Sequence, residues 1–207
     1  MNKLVDQLKK LQRDESVRGL VNARIREFHS LRDAQGLDLF GELCFCILTA
    51  NCSAEQCVRI QQEIGPGFSC WPEESLKKQF KKLGYRFPPR AKHIVSARCF
   101  CESLPEVLAS LSGEERREWL VRSIDGFGYK EASHFLRNIG YDEYAIIDSH
   151  IVDVLVNHGV MQRPKSLTKR RYLEIEKKLR TLGERVGLSL AQLDLYLWYM
   201  ETGKILK

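Results

Sequence analysis

Apolar residues recur three and four positions apart along almost the whole chain, beginning with Leu4, Leu8 and Leu11 and continuing through Leu20, Ile25 and Phe28. That spacing puts them on one face of an α-helix, where a half-buried strand would need strict alternation. Further helices are predicted over Leu37–Ala50, Ser53–Ile64, Ser75–Lys82, Pro89–Glu102, Pro105–Leu111, Gly113–Ser123, Lys130–Asn138, Ser149–His158, Leu167–Gly187 and Leu190–Glu201, and strand signals are nearly absent. Turns at Asp33–Gly36, Gly65–Gly67, Phe87–Pro89, Gly126–Gly128 and Gly140–Asp142 separate them. Each is short enough to join packed helices, and none is long enough to be a linker. The prediction is an all-α chain of about ten helices, with no internal repeat and no low-complexity segment.

A chain of 207 residues can bury a substantial core, and 43% hydrophobic with 29% charged residues excludes whole-chain disorder. The best apolar run, Leu43–Ala50, is far shorter than the roughly 18 to 20 residues that span a bilayer, so no membrane partner is predicted. The charged, amphipathic start has no secretory pattern, which predicts a cytoplasmic protein. Seven cysteines, all in the first half, suit reduced thiols better than a disulfide framework. Cys44, Cys46, Cys52 and Cys57 lie close in sequence, but Cys44 and Cys46 sit inside an apolar segment and lack a second matched pair. Core thiols are predicted there, and no metal.

The net charge is +6, unevenly spread. Between Lys77 and Arg98 lie eight cations in 22 residues and no acid, interleaved with Phe80, Tyr85 and Phe87. Cations for phosphates and rings for stacking or wedging are what a nucleic-acid surface requires, although a solvated basic face over core aromatics has the same composition. A second basic stretch, Arg163–Arg185, also contains Glu174, Glu176 and Glu184, partly at helical ion-pair spacing, and reads as a solvated face.

The sharpest local signal is Ile124–Ser133, where Gly126-Phe127-Gly128 is squeezed between two helical segments. Glycine at both positions permits positive φ and close approach, and a turn that opens a helix offers main-chain N–H groups to an anion such as a DNA phosphate. Lys130 follows in the first turn of that helix, and Asp148 comes eighteen residues later, after Tyr144-Ala145-Ile146-Ile147 and before Ser149-His150. Taken alone, Lys130 would be a solvent-facing lysine, Asp148 a helix N-cap and His150 a structural hydrogen-bonding residue.

Together these segments resemble the helix-hairpin-helix DNA glycosylases, a superfamily that includes endonuclease III and the 8-oxoguanine DNA glycosylases. Ile124–Ala132 matches the hairpin carrying the nucleophilic lysine, and Ile147–His150 matches the segment carrying the catalytic aspartate. Leu48–Ser53 looks like the helix end beside the lesion pocket, and Leu83–Arg86 with Arg90–Lys92 like the DNA-wedging turn and its following helix. No cysteine lies beyond Cys101, so the iron–sulfur cluster of endonuclease III and the adenine glycosylases has no ligands here. Helical patterns from residue 3 leave no room for the β-rich domain of the eukaryotic 8-oxoguanine enzyme. What remains resembles the compact archaeal and bacterial 8-oxoguanine glycosylase/lyases, whose short tail ends in lysine, as Trp198–Lys207 does.

The resemblance implies one helix-hairpin-helix unit over 1–207, with subdomains 1–35 plus 130–207 and 36–129, the hairpin over 119–138, and the active site in the cleft between them. It implies Lys130 and Asp148 as catalytic residues, Trp198 stacking on the flipped base, and Lys207 reading that base through its carboxylate or its side chain. DNA contacts are implied for Gly126, Phe127, Gly128, Tyr85, Arg86, Phe87 and Arg90, with Tyr85 or Phe87 as the wedge. The implied partner is double-stranded DNA containing 8-oxoguanine, acted on by a nucleoid-associated monomer without cofactor or metal. A neutral Lys130 would attack C1′, and the resulting Schiff base would allow β-elimination of the 3′ phosphate. The rival readings are a glycosylase/lyase for oxidised pyrimidines and a non-enzymatic hairpin module with no role for Lys130 or Asp148.

Overall fold

The computed structural model describes residues 2–32, 34, 36–50 and 52–207, so Asp33 and Gln35 of the first predicted turn and Asn51 of the Leu48–Ser53 segment lie outside the described residues. The described residues form helices and no strand. In chain order they are α1 (Asn2–Arg13), α2 (Glu15–Ser30), α3 (Gly36–Leu48), α4 (Ala54–Ile64), α5 (Gly67–Cys70), α6 (Glu73–Lys82) and α7 (Arg90–Ala97), then α8 (Leu104–Ser110), α9 (Gly113–Ser123), α10 (Tyr129–Asn138), α11 (Ser149–Asn157), α12 (Lys169–Val186) and α13 (Leu190–Thr202). None is long and apolar enough to cross a membrane.

The helices outnumber the prediction because two local signals outrank periodicity. Asp14 interrupts the continuous apolar pattern of the N-terminal segment: its carboxylate accepts from the N–H groups of Ser16 (3.0 Å) and Val17 (3.3 Å), so it ends α1 and caps α2. Gly65-Pro66-Gly67, predicted as a turn, continues into the single helical turn α5. The predicted helix Pro89–Glu102 is shorter, passing into a 3-10 turn at Arg98–Phe100.

Burial separates two apolar cores. The first draws on residues between Leu39 and Tyr144, with α3 at its centre contributing Leu39, Phe40 and the run Leu43–Leu48. The second is built from both ends of the chain, Leu4–Phe28 of α1 and α2 with Ala145, Ile147 and the buried faces of α11 to α13. The cores therefore divide between Tyr144 and Ala145 rather than at residue 130: α10 buries Ala132, Phe135 and Leu136 in the first core, because it packs on α3 and α9. Cys44, Cys46 and Cys57 are fully buried free thiols, and burial pushes the first two well up from the ordinary thiol range.

The cores are stitched across their boundary. Arg117 of α9, 0% exposed, meets Glu176 of α12 through two bonds of 2.7 and 3.0 Å. Glu176 also accepts from the N–H of Ala145 at 3.0 Å, and Tyr172 on the same helix donates to the Ala145 carbonyl at 2.7 Å.

Candidate active site

Between the cores lies a cleft of about 880 Å³. One wall is the face of α10 that carries Lys130, His134 and Arg137, four and then three residues apart and hence on one side of the helix. Ile146–Ile151 and, from α13, Asp194, Leu195 and Trp198 also line the cleft. The segment after α3 and the start of α4, including Thr49, Cys52, Ser53 and Glu55, forms the rim with the tail residues Lys204, Leu206 and Lys207. The four residues predicted for chemistry and base recognition, Lys130, Asp148, Trp198 and Lys207, are thus brought into one cavity from positions far apart in sequence.

Lys130 sits in the first turn of α10, its ammonium 4.0 Å from Glu131 Oε1 and its side chain about one quarter exposed. Asp148 is the N-cap of α11, with Oδ1 accepting from the Ile151 N–H at 3.0 Å. A carboxylate there is well placed to offset the positive end of α11, and the residue lines the cleft. Trp198 stands edge-on to His150, ring centres 5.0 Å apart, and this ring contact replaces the hydrogen bond predicted for His150.

The cleft also gathers polar groups that the sequence reading missed. Asp194 faces Arg137 at 3.6 Å, and its carboxyl is pushed up to about 6, chiefly by burial and further by Asp148, against the pull of Arg137 and Lys130. His134 is held well below the ordinary imidazole range by burial and by the charges of Arg137, Lys130 and Lys207. It is therefore a neutral ring with one donor and one acceptor. Both of its nitrogens, Nε and Nη1 of Arg137, and Nε1 of Trp198 are buried without partners among the described residues. Each such orphan typically costs about 1–3 kcal/mol, and all three of these residues line the cleft.

The hairpin lies between α9 and α10. Gly126 has φ +82°, in the left-handed region that favours glycine, whereas Gly128 has φ −106°, open to any residue. The positive φ that glycine permits at both positions is thus used at the first alone. Gly128 instead donates its N–H to Glu131 Oε2 at 3.1 Å, and Phe127 donates its own to the Ile124 carbonyl at 3.1 Å while burying its ring in the first core. A Cβ on Gly126 would come within 3.4 Å of His93 and 3.7 Å of Arg90 Nη1, so the hairpin and the basic stretch form one continuous surface.

Within that stretch the cations divide. Arg90 donates to the Ile47 carbonyl (2.6 Å), Arg98 to the carbonyls of Phe68 (2.8 Å) and Trp71 (2.6 Å), and Lys77 pairs with Glu73 and Glu74. Lys78, Lys81, Lys82, Arg86 and Lys92 are exposed. Tyr85 is 3% exposed and donates its hydroxyl to the Leu48 carbonyl at 2.9 Å, while Phe87 is half-buried with its ring edge-on to Tyr85.

A glycine-turned hairpin leading into a lysine, with an aspartate-capped helix across an interdomain cleft, defines the class of the helix-hairpin-helix DNA glycosylases. Within that class, the family model described as 8-oxoguanine DNA glycosylase matches residues 21–188, and the chain belongs to this family. It is 49% identical over 207 residues to the 8-oxoguanine DNA glycosylase/AP lyase of Methanocaldococcus jannaschii, covering 99% of each chain. It is 42% identical over 208 residues to that of Thermotoga maritima, again covering 99% of each. The fold matches the crystal structure of the Methanocaldococcus jannaschii 8-oxoguanine glycosylase/lyase in complex with 15mer DNA containing 8-oxoguanine, with a TM-score of 0.95, 48% identity, and coverage of 99% of this chain and 100% of that one. For the 8-oxoguanine DNA glycosylase of Thermotoga maritima the TM-score is 0.94 at 42% identity, with full coverage of both chains.

Proposed function

We propose that this protein is a bifunctional DNA repair enzyme that excises 8-oxoguanine from DNA and cleaves the strand 3′ to the resulting abasic site. The observation that carries the reading is the convergence of Lys130 and Asp148 on one cleft whose remaining walls hold unpartnered base-binding groups. The target base is stacked inside the duplex, so the nucleotide must be extruded into that cleft, at a cost of a few kcal/mol offset by phosphate contacts.

Arg86, Lys92 and the neighbouring exposed lysines hold the backbone. Phe127 and Gly128 spend their N–H groups within the hairpin, which leaves Gly126 and the first turn of α10 for a phosphate. Phe87, with ring surface to spare, is the wedge that fills the vacated stack; Tyr85 supports it from below. Arg90 orders the hairpin surface by fixing the end of α3.

Trp198 offers a face to the flipped base. The feature that separates 8-oxoguanine from guanine is a hydrogen on N7, and an acceptor placed there rejects guanine, whose N7 would face it unpaired. The tail carrying Lys207 supplies that acceptor. The glycosidic bond breaks, its electron pair leaving with the base, while Lys130 Nζ gives up a proton to the departing base and forms the new bond to C1′. Asp148 stabilises the oxocarbenium-like sugar as positive charge develops on it. The ring opens to a Schiff base on Lys130, loss of a C2′ proton follows, and the 3′ phosphate departs with the C3′–O electron pair. In this reading the enzyme acts as a monomer on double-stranded DNA at the nucleoid.

The test is incubation with duplexes holding 8-oxoguanine, an oxidised pyrimidine or an unmodified guanine, with borohydride added to reduce the Schiff base. Wild-type protein is expected to cleave and cross-link to the 8-oxoguanine strand, and Lys130→Gln to bind it without cross-linking. Equal trapping by Lys130→Gln would overturn the assignment of the nucleophile.

A further inference from the structure

A glutamate lies within the long buried apolar run of α3. Glu42 of α3 is 2% exposed among Leu39, Phe40 and Leu43–Leu48, where an ionised carboxylate is costly unless every lone pair is engaged. Its Oε1 accepts from Asn138 Nδ2 at 2.6 Å, and its Oε2 from Lys207 Nζ at 2.6 Å and Gln61 Nε2 at 3.3 Å. The Lys207 ammonium also lies 4.7 Å from the centre of the Phe45 ring, one helical turn along from Glu42, so its charge is met by a carboxylate and an aromatic face together. Lys207 keeps only 20% of its side chain exposed.

The tail thus spans the cleft. It leaves α13 in the second core at Gly203, which has φ +68°, makes the ion pair Lys204–Glu55 at 3.0 Å on the outer rim, and ends on Glu42 in the first core. Of these two pairs the outer one is half-exposed and worth little, whereas the inner one is desolvated and hydrogen-bonded from three sides.

We infer that Glu42 is a positioning residue for base recognition: by taking up the Lys207 ammonium it fixes residues 203–207 as a wall of the lesion cleft, so the main chain of the tail, rather than the lysine side chain, meets the flipped base. This rests on the reading of the cleft as an 8-oxoguanine site. It separates two roles of Lys207 that the sequence leaves open, because an ammonium committed to a buried carboxylate is not available to the base. Glu42 itself touches neither Lys130 nor Asp148 through any bond, so its influence runs through the tail.

The test compares wild type, Glu42→Gln, Lys207→Met and the double variant on duplex 8-oxoguanine and on a pre-formed abasic site. Glu42→Gln keeps an acceptor for Asn138 but gives up the charge that holds Lys207. It is expected to lower 8-oxoguanine excision roughly 10- to 100-fold, the range that misplacing a recognition element produces, while abasic-site cleavage stays within about twofold. Lys207→Met should lower excision to a similar extent, and the double variant should lose no more than either single one, since both break the same link. Hydrogen exchange of the amides of residues 203–207 should be slow in wild type and fast in both single variants, which reports on the tail even if Glu42→Gln folds poorly, because Lys207→Met leaves Glu42 its bonds from Asn138 and Gln61. Equal loss of both activities in a folded Glu42→Gln protein, additive losses in the double variant, or unchanged tail protection would overturn the role of Glu42. Wild-type protein inert on 8-oxoguanine would instead overturn the function proposed above.

Discussion

Breaking the buried pair Arg117–Glu176 should cost the protein a large share of its stability, and replacing Glu176 by Gln measures that cost. Arg117 has all its donors occupied: Glu176 takes two bonds at 2.7 and 3.0 Å, Glu114 two at 2.5 and 3.3 Å, and Ser133 one at 3.1 Å. Burial alone would penalise the guanidinium, but bonding to Glu176 and Glu114 more than offsets this and raises its pKa. The substituted amide would keep the shape and still accept from the Ala145 N–H, but would bring an N–H₂ group or a neutral oxygen against a buried cation. Removing one partner of a buried pair typically costs about 3–5 kcal/mol; Glu114 remains as counter-charge, so the lower end, about 3 kcal/mol, applies. For a chain of this size each kcal/mol moves Tm by about 2–4 °C, giving a fall of roughly 6–12 °C. Urea denaturation followed by circular dichroism at neutral pH provides the free energy, and a thermal scan the shift. As a control, replacing both partners by apolar residues, Arg117→Met with Glu176→Leu, should recover much of the loss, because no charge is then left buried. A cost below about 1 kcal/mol for Glu176→Gln would refute the reasoning, since the carboxylate would then not be what offsets the burial of Arg117.

Asp148→Asn should separate the structural from the chemical role of that side chain: asparagine caps a helix about as well as aspartate, so stability should change by less than about 0.5 kcal/mol. Excision of 8-oxoguanine should nevertheless fall by about 10²- to 10³-fold in single-turnover assays, and a loss below tenfold would count against its place in the chemistry. Replacing Arg86 and Lys92 together by Ala should weaken DNA binding and flatten the plot of log affinity against log salt by about two units, close to one per phosphate contact. An unchanged slope would return these cations to solvent.

How far the molecule was legible in its sequence differs from element to element for physical reasons. Helix α9 occupies the predicted Gly113–Ser123 because turn chemistry marks both ends. The single N-terminal run was read through Asp14 because apolar spacing continues across it; only the aspartate followed by Ser16 and Val17 betrays the cap. In the site, Lys130 and Asp148 were visible because a hairpin and an apolar segment frame them. Arg137 and Asp194 were not, since a charged residue at a helical position reads as solvated until tertiary packing buries it. Glu42 had a usable signal, an acid in the middle of an apolar helix, but its partner lies 165 residues away. Counting cations along Lys77–Arg98 could not tell Arg86, which is exposed, from Arg98, whose donors are spent on carbonyls.

The division into two cores has a consequence for the order of events in folding. The first core is drawn from one uninterrupted length of chain, so its helices α3 to α10 meet through closures that stay within that length. The second needs α1 and α2 to meet α11 to α13 from the far side of that length, and loop-closure entropy falls on every contact that joins them. Non-local contacts of this kind are slow to form, which makes the first core the natural nucleus and the second the late event. Because the cleft takes one wall from each, a folding intermediate holding only the first core would possess Lys130 but not Asp148 or Trp198, and repair competence would emerge in the final kinetic phase.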